Sequence, residues 1–200
     1  GLTTEDPKQK DAGTYTNNLS GTPVVKDADD NDVTAQFKVK TKNGSLVINK
    51  AEVTLKSADL SKEYDGTALV NGDTALEKES GFAEGEGATY TFTGSQTLVG
   101  SSSNAFSYEL NKNTKADNYT INKSEGTLTV TNREAQYEIE VKANSATATY
   151  DGKEHEAKGV ETYEFTVNGQ KYTVSGLTTE DPKQKDAGTY TNNLSGTPVV

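Results

Sequence analysis

The sequence predicts an all-β protein of tandem small modules, each a β-sandwich or β-grasp-like unit, arranged as an elongated rod. Three observations predict it. Apolar and polar residues alternate in short runs such as Tyr163-Glu164-Phe165-Thr166-Val167, as in half-buried strands. Asn-Gly and Asp-Gly pairs, the residues of tight turns, punctuate those runs. Residues 1–25, GLTTEDPKQKDAGTYTNNLSGTPVV, recur without a difference as residues 176–200. The spacing from Gly1 to Gly176 gives a period of 175 residues, and a period marks an array.

Composition agrees with small modules. Of the 200 residues 31% are apolar, and Trp, Met and Cys are absent, too little to fill one large core. A mean hydropathy of −0.78 with a net charge of −10 leans toward disorder. Against that, ten Tyr and five Phe fall mostly at alternating positions in strand-like runs. The negative charge and a pI near 4.7 repel a phosphate backbone, which excludes nucleic acid as a partner. No apolar run approaches the roughly 18 residues that cross a bilayer, so no membrane insertion is expected. No signal peptide, lipidation motif or sorting signal is present, as expected of a middle portion of something longer. Without Cys there are no disulfides and no thiolate metal sites.

Residues 1–50 read as the C-terminal part of a module A, residues 51–132 as a complete module B, and residues 133–200 as the N-terminal part of the next module A. Openings match: Val53–Gly66 is VTLKSADLSKEYDG and Val141–Gly152 is VKANSATATYDG. Endings match too, QFKVKTKNGSLVINK over residues 36–50 against TINKSEGTLTVTNR over residues 120–133. The termini therefore cut through module A, and in a longer array the residues after Val200 are expected to read much like Lys26–Lys50. Short junctions such as Ile48-Asn49-Lys50-Ala51-Glu52-Val53 leave little linker.

In chain order, Phe37 and Val39 lead through Asn43-Gly44 to Leu46 and Ile48, a type I′ hairpin placing Val39 opposite Ile48. The one helix candidate is Asp73–Glu79, with Asp73 as its cap and Leu76 inside, stopped by Gly81, Gly85 and Gly87. In module B, Tyr90 and Phe92, then Phe106, Tyr108 and Leu110, then Leu128 and Val130 mark half-buried strands. A second hairpin turns at Asn168-Gly169, with Phe165 opposite Tyr172 and Tyr163 opposite Val174. Those four share a core face with Val167.

Sites of chemistry are few. Asp27, Asp29 and Asn31 alternate as at the start of a calcium loop and are the candidate metal ligands. Position six, however, is Asp32 instead of Gly, and position twelve is Lys38 instead of Glu, so the run reads as a solvated turn. His155 is the only histidine, which rules out histidine pairs and Ser-His-Asp arrangements. Flanked by Glu154 and Glu156, it reads as a surface residue. No pair among the thirty acids is set apart for glycoside chemistry. No catalytic or cofactor-binding residue is expected, no cofactor, and no enzyme activity. Tyr64-Asp65-Gly66 and Tyr150-Asp151-Gly152 read as structural turns: the Tyr ends a strand facing the core, and the Gly takes positive φ. Sugar contact is their other reading. Lys56 in a first strand and Asn132 after a last strand form a candidate isopeptide pair. Asn18, Asn43, Asn118 and Asn122 begin Asn-x-Ser/Thr triplets, inert in a bacterial setting.

At its two Tyr-Asp-Gly turns, and at the endings Gly44-Ser45-Leu46-Val47-Ile48 and Gly126-Thr127-Leu128-Thr129-Val130, the chain resembles the YDG and MBG-type tandem repeats of Gram-positive-like bacterial cell-surface adhesins. The resemblance implies an extracellular protein, secreted and attached to the cell wall elsewhere in its parent chain, serving as spacer or adhesin repeats without catalytic residues. Three roles are in view: a stalk that projects an adhesive region from the wall; a repeat that itself binds host glycan or matrix protein; and a subunit of a self-assembling filament, where Lys26–Lys50 of one chain completes the split module of another. Expected partners are neighbouring repeats of the same chain, or other copies head to tail.

Overall fold

The computed structural model describes residues 1–72 and 75–200. Among them the regular structure is strand, and helix is reduced to two single 3-10 turns, Thr34–Gln36 and Ala116–Asn118. The fold is all-β. Contacts divide it into two compact units. The first comprises Gly1–Leu60, Val70–Ser95 and Ser102–Leu128; the second comprises Ser61–Leu69, Gln96–Ser101 and Thr129–Val200.

The core of the first unit follows from a period of two. In the strand Ala51–Lys56, Val53 and Leu55 point to one face and are both fully buried, with Phe106 and Tyr119 beside them. This strand is the middle one of three. Tyr119–Ser124 runs parallel to it, from Tyr119 opposite Ala51 to Ser124 opposite Lys56, and Lys78–Ser80 runs antiparallel along the other edge. Above them Ala88–Phe92 pairs antiparallel with Phe106–Leu110, setting Phe92 against Phe106 and Tyr90 against Tyr108. The Phe92 and Phe106 ring centroids lie 5.8 Å apart, and Phe82 meets Tyr119 edge-on at 5.2 Å. Each fully buried Val or Leu contributes about 1.5–3 kcal/mol, so a core this small relies on these few aromatic contacts.

No helix forms over residues 75–79, the described part of the expected helix. Lys78–Ser80 is strand, Leu76 packs on the core, and Asp73, the expected cap, lies outside the described residues. Pairing with Ala51–Lys56 outweighs a local preference that two turns could not have sustained.

Beside that core lies a buried polar joint. The Ser57 hydroxyl donates to the Asn104 carbonyl at 2.7 Å and accepts from the Gly126 amide at 2.9 Å, and the Asn104 amide donates to the Gly126 carbonyl at 2.8 Å. A Cβ on Gly126 would stand 2.3 Å from the Ala58 carbonyl oxygen, so only glycine fits just before the strand Thr127–Thr131.

The duplicated segment offers a control inside one chain. In the first unit Leu2–Thr4 pairs with Leu19–Gly21, placing Leu2 opposite Gly21, Thr3 opposite Ser20 and Thr4 opposite Leu19. In the second unit Leu177 faces Gly196, Thr178 faces Ser195 and Thr179 faces Leu194, the same register 175 residues on. Details repeat: the Asp6 amide donates to Asn17 Oδ1 at 2.9 Å and the Asp181 amide to Asn192 Oδ1 at 3.0 Å, with φ 50° and 51° at the two aspartates. Other elements do not repeat: Lys183–Gln184 pairs with His155–Glu156 while Lys8–Gln9 is in no strand, and Leu194–Val199 runs on where Leu19–Gly21 stops. Gly13–Asn17 is a strand, paired from Gly13 opposite Ile48 to Asn17 opposite Gly44, whereas its copy Gly188–Asn192 is in no strand.

That pairing replaces the hairpin expected around Asn43-Gly44. Phe37–Asn43 is not strand, Phe37 is 58% exposed, and neither Asn43 nor Gly44 has the positive φ that a type I′ turn demands. The Asn43 side chain serves otherwise: its Oδ1 accepts from the Leu19 amide at 3.1 Å and its Nδ2 donates to Asn18 Oδ1 at 2.7 Å. These bonds steer Gly44–Ile48 onto Gly13–Asn17 and set Leu46 opposite Tyr15. At Asn168-Gly169, by contrast, φ is 48° and 77° and the strands Glu164–Val167 and Gln170–Thr173 pair directly, Phe165 opposite Tyr172. Val174 is buried and its amide donates to the Tyr163 carbonyl at 2.8 Å. The Tyr163 side chain is exposed, where Phe165, Val167 and Tyr172 are half-buried.

Candidate functional site

The two Tyr-Asp-Gly turns share one local device. Asp65 Oδ1 accepts from the Thr67 amide at 2.9 Å and Asp151 Oδ1 from the Lys153 amide at 2.9 Å, each closing a turn two residues long. Gly66 and Gly152 follow at φ 82° and 75°. Their surroundings differ. The Lys62 ammonium, 2.8 Å from Asp65, holds that carboxyl well below the usual range, helped by the Thr67 amide and hydroxyl. Asp151 is lowered first by the Lys153 amide and then by His155, whose Nε2 lies 2.9 Å away.

Around the first turn, within the second unit, three tyrosines converge. The Tyr64 and Tyr172 hydroxyls are 3.1 Å apart, Asn168 Nδ2 donates to the Tyr137 hydroxyl at 2.7 Å, and the Arg133 guanidinium lies 4.1 Å above the Tyr137 ring centroid. Arg133 also donates to the Tyr64 carbonyl at 3.2 Å and to the Ala135 carbonyl at 2.9 Å. Hydrogen bonding to Tyr64, with burial, pushes the Tyr172 hydroxyl up to about 12. These side chains border a cleft of about 320 Å³ that Val167 and Asn132 also line. Sequence reading missed the group, because Arg133 and Tyr137 carry no strand alternation and follow the strand Thr127–Thr131.

A second cleft of about 380 Å³, also within the second unit, is lined by residues of Ala146–Tyr150 and Gln184–Tyr190 together with the paired strand His155–Glu156. Residues 145–150 form no strand, and Tyr150 is 65% exposed, so it does not end a strand facing the core as expected. Its counterpart Tyr64 is half-buried.

Asp27, Asp29 and Asn31 close a loop upon itself. Asp27 Oδ1 accepts from the Asp29 amide at 3.0 Å and the Asn31 amide at 2.9 Å, and its Oδ2 from Asn31 Nδ2 at 3.1 Å. Those bonds, Asn31 foremost, lower the Asp27 pKa. Among the described residues no three of His, Cys, Asp and Glu converge as metal ligands would. Lys56, in the first unit, sits on Glu77 at 2.7 Å, which raises its pKa; Asn132 belongs to the second unit. Asn118 is half-buried, its Oδ1 accepting from the Ala12 amide at 2.8 Å and its Nδ2 donating to Asp11 Oδ1 at 3.0 Å. Among the described residues no helix is long and apolar enough to cross a membrane. No family model, curated protein or solved structure matches the chain.

Proposed function

We propose that this chain is a spacer repeat of a bacterial surface protein, a stretch of stalk whose useful property is the distance it spans between cell wall and adhesive region. The observation that supports it best is the paired behaviour of the duplicated segment. Two identical 25-residue stretches, placed in different units, share the register of the Leu2–Gly21 arc and its Thr–Ser and Asp–Asn side-chain bonds. A fold set so locally can be gained or lost in whole copies, as quasi-one-dimensional arrays require. The tyrosine cleft supports a structural role as well. Its hydroxyls, its amide and its guanidinium are bonded to one another or to backbone, which makes it a joint and leaves few free groups to grip a sugar.

Small-angle scattering on chains of one, two and three full periods tests the proposal. A spacer adds a constant increment of length per period. Growth of the radius of gyration as roughly the 0.4 power of residue number, typical of a single globule, or as roughly the 0.6 power, typical of an unfolded chain, would overturn it.

A further inference from the structure

The cleft lined by residues of Ala146–Tyr150 and Gln184–Tyr190 has the position of a missing strand. Module B supplies the template: its last strand Thr127–Thr131 lies in the middle of a three-stranded sheet, with Gly100–Ser103 on one side and Leu60–Glu63 on the other. On one flank the Ser101 and Thr129 hydroxyls meet at 3.1 Å. On the other, the Tyr64 amide donates to the Thr131 carbonyl at 2.9 Å. Counting back from the two Tyr-Asp-Gly turns, Leu60–Tyr64 corresponds to Ala146–Tyr150. Matching the endings, Gly126-Thr127-Leu128-Thr129-Val130 corresponds to Gly44-Ser45-Leu46-Val47-Ile48.

The duplicated segment supplies the other flank. Gly13–Asn17 carries Gly44–Ile48 along its edge, and Gly188–Asn192 is the same five residues. Its Tyr190 is 44% exposed where Tyr15 is half-buried. Both expected neighbours of a closing strand therefore border one cleft, neither is in a strand, and the tyrosine ring on each is exposed. The sequence Gly-Ser-Leu-Val-Ile occurs once in the 200 residues, and that copy is already engaged with Gly13–Asn17.

We propose that this cleft is a strand-acceptor slot, and that its occupant is the closing strand Gly44–Ile48 of another copy of the repeat. Inserted as a middle strand, it takes the register already seen in the first copy: Ile48 opposite Gly188, Val47 opposite Thr189, Leu46 opposite Tyr190, Ser45 opposite Thr191 and Gly44 opposite Asn192. Its second edge meets Ala146–Tyr150. Main-chain hydrogen bonds on both edges supply affinity, and Leu46 against Tyr190 supplies selection. The inference rests on the repeat reading for the identity of the donor, and it says where one copy ends and the next begins: inside a sheet.

The test uses the full chain and a blocked synthetic peptide of residues 42–50. Saturable one-to-one binding is expected, with amide exchange slowed about tenfold or more at Thr147–Thr149 and Thr189–Thr191 while Gly13–Asn17 is unchanged. A middle strand uses its N–H groups on both edges, so a peptide carrying Leu46→Pro should bind about tenfold more weakly or worse. No protection at either segment, protection confined to Gly13–Asn17, or equal binding of the proline peptide would overturn the proposal. The readout is independent of chain length scaling: tight peptide binding with a globular scattering profile would sink the spacer reading alone.

Discussion

Asp65 shows how one charge is placed to fix a turn. Its carboxylate gathers the Lys62 ammonium, the Thr67 amide and the Thr67 hydroxyl, all at 2.8–2.9 Å, so the ionised form is favoured in the folded state. A carboxyl whose folded pKa is depressed contributes stability that is fully present above its unfolded value, near 3.8. That contribution is lost as pH falls through the lower folded value. Replacing Asp65 by Asn keeps an oxygen for the Thr67 amide and removes the charge that meets Lys62. The variant is therefore expected to melt below the parent at pH 5–7, with the gap closing as pH drops below about 4. Thermal melts of both chains across that range check it; a gap that stays constant to pH 2 would mean the charge has no part in the turn.

At the scale of elements, what could be read from sequence depended on how far apart the partners were. The hairpin at Asn168-Gly169 was legible because turn and both strands lie within twelve residues, and alternation alone put Phe165 opposite Tyr172. The same turn signal at Asn43-Gly44 misled. There the winning partner, Gly13–Asn17, lies 27 residues upstream, and the Asn43 side chain spends its hydrogen bonds on Asn18 and Leu19. The tyrosine joint was illegible for a related reason: Tyr64, Tyr137 and Tyr172 come from three separate stretches that only the folded chain brings together. The duplicated strand turns this dependence on partners into an experiment. Thr14 and Tyr15 are adjacent in a paired strand, so one of their two N–H groups faces Gly44–Ile48, and proline there removes a ladder bond. Of Thr14→Pro and Tyr15→Pro, the worse is expected to lower first-unit stability by at least about 1 kcal/mol. Thr189→Pro and Tyr190→Pro, in identical sequence without a strand partner, should stay within about 0.5 kcal/mol. Denaturant titration of the four variants compares them, and equal costs in both copies would show that the second strand has a partner after all.

For the molecule as a whole, the question is why identical sequence ends in strand at one place and in open chain at another. Local rules account for the shared part, the Leu2–Gly21 arc and its copy, whose aspartate turns and hydroxyl pairs are made within 25 residues. The unshared part needs a strand from elsewhere, because an extended segment cannot satisfy its own N–H and C=O groups in the way a helix does. Adding residues 26–50 again after Val200 provides that strand on the same chain, at the high effective concentration of a short tether. The second unit is then expected to gain strands at 146–150 and 188–192. For a domain of this size a net gain of only 1 kcal/mol raises the melting midpoint by about 4–8 °C. A scrambled 25-residue tail of the same composition controls for length and charge. If both tails left the midpoint and the amide exchange of Ala146–Tyr150 alike, the second unit would already be complete without a closing strand, and the repeat would tile by simple juxtaposition instead of by sharing a sheet.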